Sequence, residues 1–137
     1  MFNVEDCDIV ELPIVHSEKG NITVLENGAG IPFDIRRIYY LYDIPTGAGR
    51  GGHSHYRLQQ FVVAVGGSFT FLLDDGTREK EVFLNRPDKA LLIKPGIWRE
   101  IKDFSGGSIC LVLASLKYSE DDYIRDYGDF LDFRRNG

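Results

Sequence analysis

Two stretches of the chain decide its fold: Gly47–Gly67, which reads GAGRGGHSHYRLQQFVVAVGG, and Lys94–Glu100, which reads KPGIWRE. In the first stretch, one residue separates His53 from His55. Alternate residues of a strand project from the same face, so both imidazoles point the same way if this segment is extended. The apolar run Phe61–Val65 ends at a glycine pair, which is typical of a buried strand followed by a turn. We therefore predict strand structure that carries two titratable side chains on one face.

The rest of the chain repeats this pattern of short apolar segments. Fifteen glycines and five prolines separate runs rich in Val, Ile, Phe and Tyr, which favours many short strands over long helices. The predicted strands are Ile9–Ile14, Ile22–Glu26, Phe33–Tyr42, His53–His55 leading into Leu58–Val65, Ser68–Leu73, Glu79–Leu84, Ala90–Ile93, Trp98–Ile101 and Ser108–Ser115. Asp75-Gly76 and Gly66-Gly67 are hairpin signals, because glycine accepts the positive φ of a primed turn. The prediction is an all-β jelly roll or small barrel over about residues 9–115.

Only the C-terminal tail has a helical pattern. Ser119 is a candidate N-cap, and the acidic residues Glu120–Asp122 would favour the positive end of a helix dipole. Ile124, Tyr127 and Leu131 then recur at helical spacing. We predict a short closing helix over about residues 119–133 and a single domain over residues 1–137.

Composition excludes several classes of partner. The 137 residues are 43% hydrophobic and carry a formal charge of −5, which disfavours non-specific binding to nucleic acids and acidic membranes. The longest apolar runs fall far below the ~20 residues of a membrane helix. The N-terminus lacks the basic start and apolar run of a signal peptide, and the two cysteines form neither a metal-binding pair nor a disulfide framework. We expect a cytoplasmic protein that binds neither nucleic acid nor membrane.

The spacing of the two stretches resembles the two cupin motifs. Gly47, His53, His55, Gln60 and Gly67 match the first motif, and the Pro-Gly turn with its following strand matches the second. This resemblance implies the double-stranded β-helix. A metal-binding cupin has three imidazoles and usually a carboxylate, which suit a divalent ion. Here the carboxylate position holds Gln60 and the third histidine position holds Arg99, a fixed cation. We expect no metal and no cofactor.

A second cluster lies on the predicted strand Phe33–Tyr42. Alternation places Arg37, Tyr39 and Leu41 on one of its faces. Taken alone, this pattern also fits an amphipathic strand whose arginines are solvated. Together with Arg50, Arg57 and Arg99, however, it concentrates positive charge in an acidic chain, and arginine binds phosphates through bidentate hydrogen bonds. The cluster predicts a site for a phosphate or diphosphate.

Five segments together resemble the dTDP-4-keto-6-deoxyglucose 3,4-ketoisomerases, with the resemblance running from about Val10 to Phe130. These segments are FDIRRIYYLYD (33–43), RGGHSHYRLQQF (50–61), LLDDG (72–76), KPGIWREIKDFS (94–105) and LVLASLKYSEDDYIRDYGDF (111–130). The resemblance implies a metal-free jelly roll and a homodimer that exchanges N-terminal strands. It also implies a dTDP-linked 4-keto-6-deoxy sugar substrate whose ketone moves from C4 to C3, in the biosynthesis of 3-amino-3,6-dideoxy sugars.

The resemblance also implies residue roles. It places the catalytic pair at His53 and His55, with Tyr39 and Arg37 near the substrate, whereas Arg99 departs from members that carry His after the Trp. We therefore predict catalysis at His53, His55 and Tyr39, and substrate binding at Arg37, Arg50, Arg57, Gln60, Trp98 and Arg99. Imidazole suits this chemistry because it gives and takes protons near neutral pH. The sequence does not distinguish which histidine removes the C3 proton, nor the configuration of the product at C4. Two alternatives stay open: a dTDP-sugar epimerase on the same fold, and a cupin that binds a sugar nucleotide without catalysis.

Overall fold

The computed structural model describes residues 1–137, which form twelve strands, one α-helix and two short 3-10 helices. The strands are β1 (Ile9–Glu11), β2 (Val15–Ser17), β3 (Gly20–Ile22), β4 (Arg37–Leu41), β5 (Arg50–His55), β6 (Gln60–Gly66), β7 (Phe69–Asp74), β8 (Glu79–Leu84), β9 (Lys89–Ile93), β10 (Trp98–Lys102), β11 (Ile109–Ala114) and β12 (Tyr123–Ile124). The helix α1 spans Tyr127–Asn136, and the 3-10 helices span Val4–Asp6 and Glu120–Asp122.

Two five-stranded antiparallel sheets form the body of the protein. The strand order is β1-β9-β6-β11-β4 in the first sheet and β12-β5-β10-β7-β8 in the second, and β2 and β3 form a separate hairpin. Sequence neighbours such as β6 and β7 belong to different sheets, as in a jelly roll. The predicted all-β jelly roll with a short C-terminal helix is confirmed.

Strand alternation divides the apolar side chains into two layers. On β6, Val62 and Ala64 belong to the main core, together with Phe71 of the second sheet. The intervening Phe61 and Val63 belong to a second apolar cluster on the other face of the first sheet. This alternation follows from the period of two along a strand. Tyr39 and Leu41 of β4 are only half-buried against the main core, so the packed interior gives way to a more open region beside β4.

Some predicted strands and turns differ from the structure. The predicted strand Ile22–Glu26 is wrong, because β3 ends at Ile22 after pairing with β2 in a tight hairpin. The hairpin at Asp75-Gly76 is confirmed, since β7 pairs with β8 across it. Gly66-Gly67 does not close a hairpin: β6 pairs with β9 and β11, whereas β7 pairs with β8 and β10. The chain crosses between the sheets here, and a Cβ on Gly67 would lie 2.8 Å from the backbone of Ser108.

The C-terminal helix begins later than predicted. It starts at Tyr127 rather than near residue 119, with the Asp126 side chain accepting from the Asp129 N–H as the N-cap. The intervening Tyr123–Ile124 pairs instead with β5, opposite His55 and Ser54, which removes these residues from the helix. The helix α1 has ten residues, and no helix of the structure combines the length and apolar character needed to cross a membrane.

Candidate active site

A cleft of about 380 Å³ opens between the two sheets, where the edge strand β4 faces β5 and β12. Its walls combine aromatic and cationic side chains with one imidazole. The lining residues are Arg37, Tyr39, Leu41, Arg50, Gly51, His53, Ile101, Tyr123 and Arg125. Four residues predicted from the sequence to act on or bind substrate therefore share one cavity: Arg37, Tyr39, Arg50 and His53.

The two histidines of β5 occupy different depths of this site. His53 is partly exposed and lines the cleft, whereas His55 is completely buried. Their rings meet edge to face with centroids 4.9 Å apart. The ring of Tyr123 lies 5.1 Å from His53 and 4.3 Å from His55. In this geometry His53 is open to the cleft and His55 lies beneath it, outside the cleft lining.

Both imidazoles are held in the neutral form at neutral pH. Burial, reinforced by the Arg99 cation, lowers the pKa of His53 to about 4. Burial lowers the pKa of His55 to about 2, and the charges of Arg99 and His53 act in the same direction. A neutral imidazole has a free nitrogen lone pair, so His53 can accept a proton from a ligand without first losing one.

Asp122, whose sequence context predicts the first turn of a helix, instead lies beside the buried histidine. Its carboxylate accepts hydrogen bonds from the backbone N–H groups of Arg57 at 2.9 Å and Leu58 at 3.1 Å, which fixes the connection between β5 and β6. Its Oδ2 also lies 3.3 Å from Nδ1 of His55. That contact is not aligned as a full hydrogen bond, and neither ring nitrogen of His55 has another partner. Asp122 therefore makes a close polar contact with the buried imidazole.

A buried polar chain runs from Arg99 to the cleft through Gln60 and Tyr39. Arg99 is 1% exposed, and its Nη1 donates to Oε1 of Gln60 at 2.6 Å. Gln60 Nε2 in turn donates to the Tyr39 hydroxyl at 2.9 Å. Burial lowers the pKa of Arg99 to about 10, so the guanidinium remains charged at neutral pH. Burial also raises the pKa of Tyr39, against the opposing effect of Arg99, which keeps its hydroxyl protonated.

These residues do not fit the divalent cation of metal-binding cupins. The Arg99 guanidinium and the Gln60 amide occupy the positions of two ligands, and they are hydrogen-bonded to each other. The fixed charge of Arg99 would repel a cation beside the histidines. Nowhere in the structure do three or more His, Cys, Asp or Glu side chains group as ligands could. A metal-free site remains a prediction that rests on this residue chemistry.

The mouth of the cleft is basic and aromatic. The Arg37 guanidinium lies 4.6 Å from the centre of the Tyr39 ring and 5.3 Å from that of Tyr118. Arg125, which the sequence analysis did not select, lies 4.0 Å from the centre of the Tyr123 ring. Two of its nitrogens donate to Glu120 at 2.6 and 2.9 Å, and this pairing lowers the pKa of Glu120 to about 2. Through Tyr123 and Arg125, residues 119–127 (SEDDYIRDY) thus form one wall of the cleft.

Four of the six predicted binding residues do not line the cleft: Trp98, Arg57, Gln60 and Arg99. Trp98 precedes Arg99 on β10 and therefore projects from the opposite face, where its ring packs 5.6 Å from Phe130 of α1. The Arg57 side chain is 74% exposed in the connection after β5, with Nε 3.6 Å from Asp122 Oδ1. The structure does not bring these two side chains to Arg37, Tyr39 and His53. Gln60 is buried behind Tyr39 rather than open to a ligand.

Known proteins are similar to this chain in sequence and fold. A curated relative from Aneurinibacillus thermoaerophilus, TDP-4-oxo-6-deoxy-alpha-D-glucose-3,4-oxoisomerase, is 37% identical over 122 residues, which cover 89% of this chain and 88% of the relative. A solved 3,4-ketoisomerase from Helicobacter canadensis is 42% identical with a TM-score of 0.92, and the match covers 95% of this chain and 98% of that one.

The 3,4-ketoisomerase QdtA from Thermoanaerobacterium thermosaccharolyticum, solved as a histidine-to-asparagine mutant with TDP-4-keto-6-deoxyglucose, is 36% identical with a TM-score of 0.92. That match covers 95% of this chain and 94% of QdtA. The family model for FdtA, described as WxcM-like, C-terminal, matches residues 5–135. The chain, a cupin jelly roll with a neutral histidine pair beside a basic cleft, belongs to the FdtA family.

Proposed function

We propose that this protein is a TDP-sugar 3,4-ketoisomerase that converts TDP-4-keto-6-deoxyglucose to the corresponding 3-keto-6-deoxyhexose. One observation carries the proposal from this chain's own structure: the neutral imidazole of His53 faces a basic cleft beside the hydroxyl of Tyr39. The related proteins from Aneurinibacillus and Thermoanaerobacterium, named for this activity, support it.

The reaction removes protons from C3 and O3 and adds protons at C4 and O4. His53 takes the C3 proton, and the electron pair of the C3–H bond forms a C3–C4 double bond while the C4 carbonyl becomes an enediolate oxygen. The imidazolium of His53, after exchange of its proton with solvent, delivers a proton to C4, while O3 passes its proton to O4 and becomes the new carbonyl. A donor beside O4 stabilises the developing charge, and Tyr39 with the buried Arg99 cation behind it is suited to that role.

The arginines of the cleft bind the diphosphate of the nucleotide. We assign Arg37 and Arg50 to the diphosphate, because guanidinium groups bind phosphate oxygens through paired hydrogen bonds. Arg125 adds a third cation at the cleft, although Glu120 partly neutralises it. With Arg57 exposed outside the cleft and Trp98 packed under α1, neither is included in this binding set.

The proposal includes a homodimer in the cytoplasm. Four large apolar side chains stand exposed around the β2–β3 hairpin, where a second chain would cover them: Ile14, Val15, Ile22 and Val24. The edge strand β1 lies beside them and could pair with another copy. Sedimentation of the purified protein at micromolar concentration tests this point, and a species of only 15.5 kDa would contradict it.

Proton NMR in heavy water tests the activity. With TDP-4-keto-6-deoxyglucose, the active protein should deplete the C3 proton signal and yield a 3-keto product that carries deuterium at C4. An epimerase would instead leave the ketone at C4 and invert C3, and a non-catalytic binder would leave the spectrum unchanged. The variant His53→Asn is the control, and its rate should fall by about 10²–10⁴-fold, the usual contribution of general acid–base catalysis.

A further inference from the structure

Gln60 occupies a position where a substrate-binding role was predicted, yet it is 4% exposed and both ends of its amide are engaged by protein groups. We propose that Gln60 is a positioning residue that orients the Tyr39 hydroxyl as a hydrogen-bond donor to the substrate. This inference rests on the proposed ketoisomerase function. It adds that Gln60 determines whether the hydroxyl of Tyr39 donates its hydrogen bond towards the substrate oxygen.

The direction of the hydrogen-bond chain is fixed at its buried end. A guanidinium can only donate hydrogen bonds, and Arg99 remains charged because its pKa stays near 10. The Nε and Nη2 of Arg99 both donate to the carbonyl of Ile97, at 3.2 and 2.9 Å, so this edge of the guanidinium is anchored on one acceptor. Its Nη1 therefore requires an acceptor, and the carbonyl oxygen of Gln60 must face it.

The orientation of the amide then determines the role of Tyr39. With its oxygen directed at Arg99, Gln60 presents only its NH₂ group to the Tyr39 hydroxyl, which must accept that hydrogen bond. The hydroxyl has no other partner within the chain, so its own proton is free to point into the cleft. Tyr39 can thus donate to the carbonyl oxygen of the substrate, and the hydrogen bond it receives makes it a stronger donor.

A single isosteric change should reverse the direction of the hydrogen bond between residue 60 and the Tyr39 hydroxyl. In Gln60→Glu the carboxylate can accept from Arg99 and also from the Tyr39 hydroxyl, which turns the hydroxyl proton away from the cleft. The new charge pairs with Arg99, so the fold should be retained. We expect kcat to fall by about 10²–10³-fold, as when an oxyanion donor is removed, while KM and TDP affinity change less than about threefold.

Two further variants separate orientation from a general effect of charge. Gln60→Glu with Tyr39→Phe should be no slower than Tyr39→Phe alone, because both changes remove the same donor. Gln60→Met, which neither donates nor captures the proton, should retain more activity than Gln60→Glu. The proposal would be overturned if the fold-reduction of kcat in the double variant equalled the product of the reductions in the two single variants. It would also be overturned if Gln60→Glu kept the wild-type kcat.

A readout without turnover keeps this test separate from the proposed activity. With tyrosine labelled at ¹³Cζ, the Tyr39 signal is assigned by its loss in Tyr39→Phe and titrated in the wild type and in Gln60→Glu. A hydrogen bond from Gln60 favours the phenolate, whereas a carboxylate opposes it, so the pKa of Tyr39 should rise in Gln60→Glu. An unchanged pKa would refute the orienting role. If the pKa of Tyr39 rises in Gln60→Glu but the wild type shows no turnover, only the ketoisomerase proposal is refuted.

Discussion

Oδ2 of Asp122 lies 3.3 Å from Nδ1 of His55, and neither side chain is more than 3% exposed. The two residues come from different parts of the chain, since His55 ends β5 and Asp122 ends the 3-10 helix that precedes β12. Backbone N–H groups of Arg57 and Leu58 hold the carboxylate in place. The negative charge of the carboxylate beside Nδ1 favours the tautomer in which Nδ1 of His55 carries the proton and Nε2 does not, because an unprotonated Nδ1 would face the carboxylate with its lone pair.

Replacing Asp122 with Asn tests the functional value of this contact. The amide keeps one oxygen for the backbone donors but presents an NH₂ group or a weaker acceptor to His55, so the tautomer preference should be lost. We expect kcat to fall on the order of 10²-fold with little change in KM, because Asp122 is buried and does not line the cleft. The matched control is Asp121→Asn, whose side chain is exposed.

Nitrogen-15 NMR of labelled histidine provides the direct readout for Asp122. In the wild type, the His55 ring should show a protonated Nδ1 and an unprotonated Nε2, and this pattern should shift in Asp122→Asn only. If the Asp121 and Asp122 variants had equal kcat values and identical histidine spectra, the role of Asp122 would be limited to holding the β5–β6 connection in place.

The sequence predicted the strand residues of the site better than it predicted their partners. The His53 and His55 spacing and the alternation at Arg37 and Tyr39 depend on local periodicity, which a single strand expresses regardless of its surroundings. Asp122 was missed for a long-range reason: the acids after Ser119 fit a helix N-terminus, but the N–H groups that bind Asp122 belong to the β5–β6 connection.

Contacts between the two sheets could not be predicted from the sequence either. Gln60 and Arg99 were selected by their motif positions, but their hydrogen bond depends on how β6 and β10 face each other across the interior. Trp98 was assigned to substrate on resemblance, whereas the packing of α1 against β10 covers its ring. The turn at Gly66-Gly67 has hairpin chemistry, and only the sheet order reveals that it crosses between layers.

The two cleft arginines of β4 and β5 should govern substrate affinity. Arg37→Ala or Arg50→Ala should raise KM by roughly 10-fold or more, since a charge-assisted hydrogen bond contributes about 1.5–3 kcal/mol. Arg36→Ala is the control, because Arg36 is exposed and precedes Arg37 on the opposite face of the same segment. Steady-state kinetics measure the effect, and isothermal titration with TDP checks it. Equal KM values for all three variants would remove the cleft arginines from the binding site.

Asp75 should contribute to stability without contributing to catalysis. Its carboxylate accepts from the backbone N–H groups of Val4 at 3.0 Å, Thr77 at 2.9 Å and Arg78 at 2.8 Å, which joins the N-terminus to the β7–β8 turn. We expect Asp75→Ala to lower the free energy of unfolding by roughly 2–4 kcal/mol, because it leaves buried donors unpaired. Urea denaturation measures this, with the exposed Asp8→Ala as control. Equal midpoints for the two variants would show that the N-terminus is held by other contacts.

The histidine pair should make the protein less stable as the pH falls below about 6.5. The pKa values of His53 and His55 are lowered to about 4 and about 2 in the folded protein, whereas both would be near 6.5 in the unfolded chain. Between pH 6.5 and 4, the unfolded state therefore binds protons that the native state does not, and the free energy of unfolding decreases with decreasing pH. The stability contributed by the neutral imidazoles is fully present above pH 6.5.

Thermal unfolding followed by circular dichroism from pH 7.5 to 4.5 measures this dependence. Carboxylates such as Asp75 also lose stabilising contacts in acid, so the contribution of the histidines must be taken as a difference between variants. The double variant His53→Asn/His55→Asn should show a shallower fall of Tm over this range than the wild type, because asparagine does not titrate. The kcat/KM of the wild type should also begin to decline only at a pH well below 6.5, because His53 stays neutral in the free enzyme down to about pH 4. The prediction fails if Tm falls in parallel with pH in the wild type and the double variant and if kcat/KM already declines near pH 6.5. That result would mean that neither imidazole is desolvated in the folded protein.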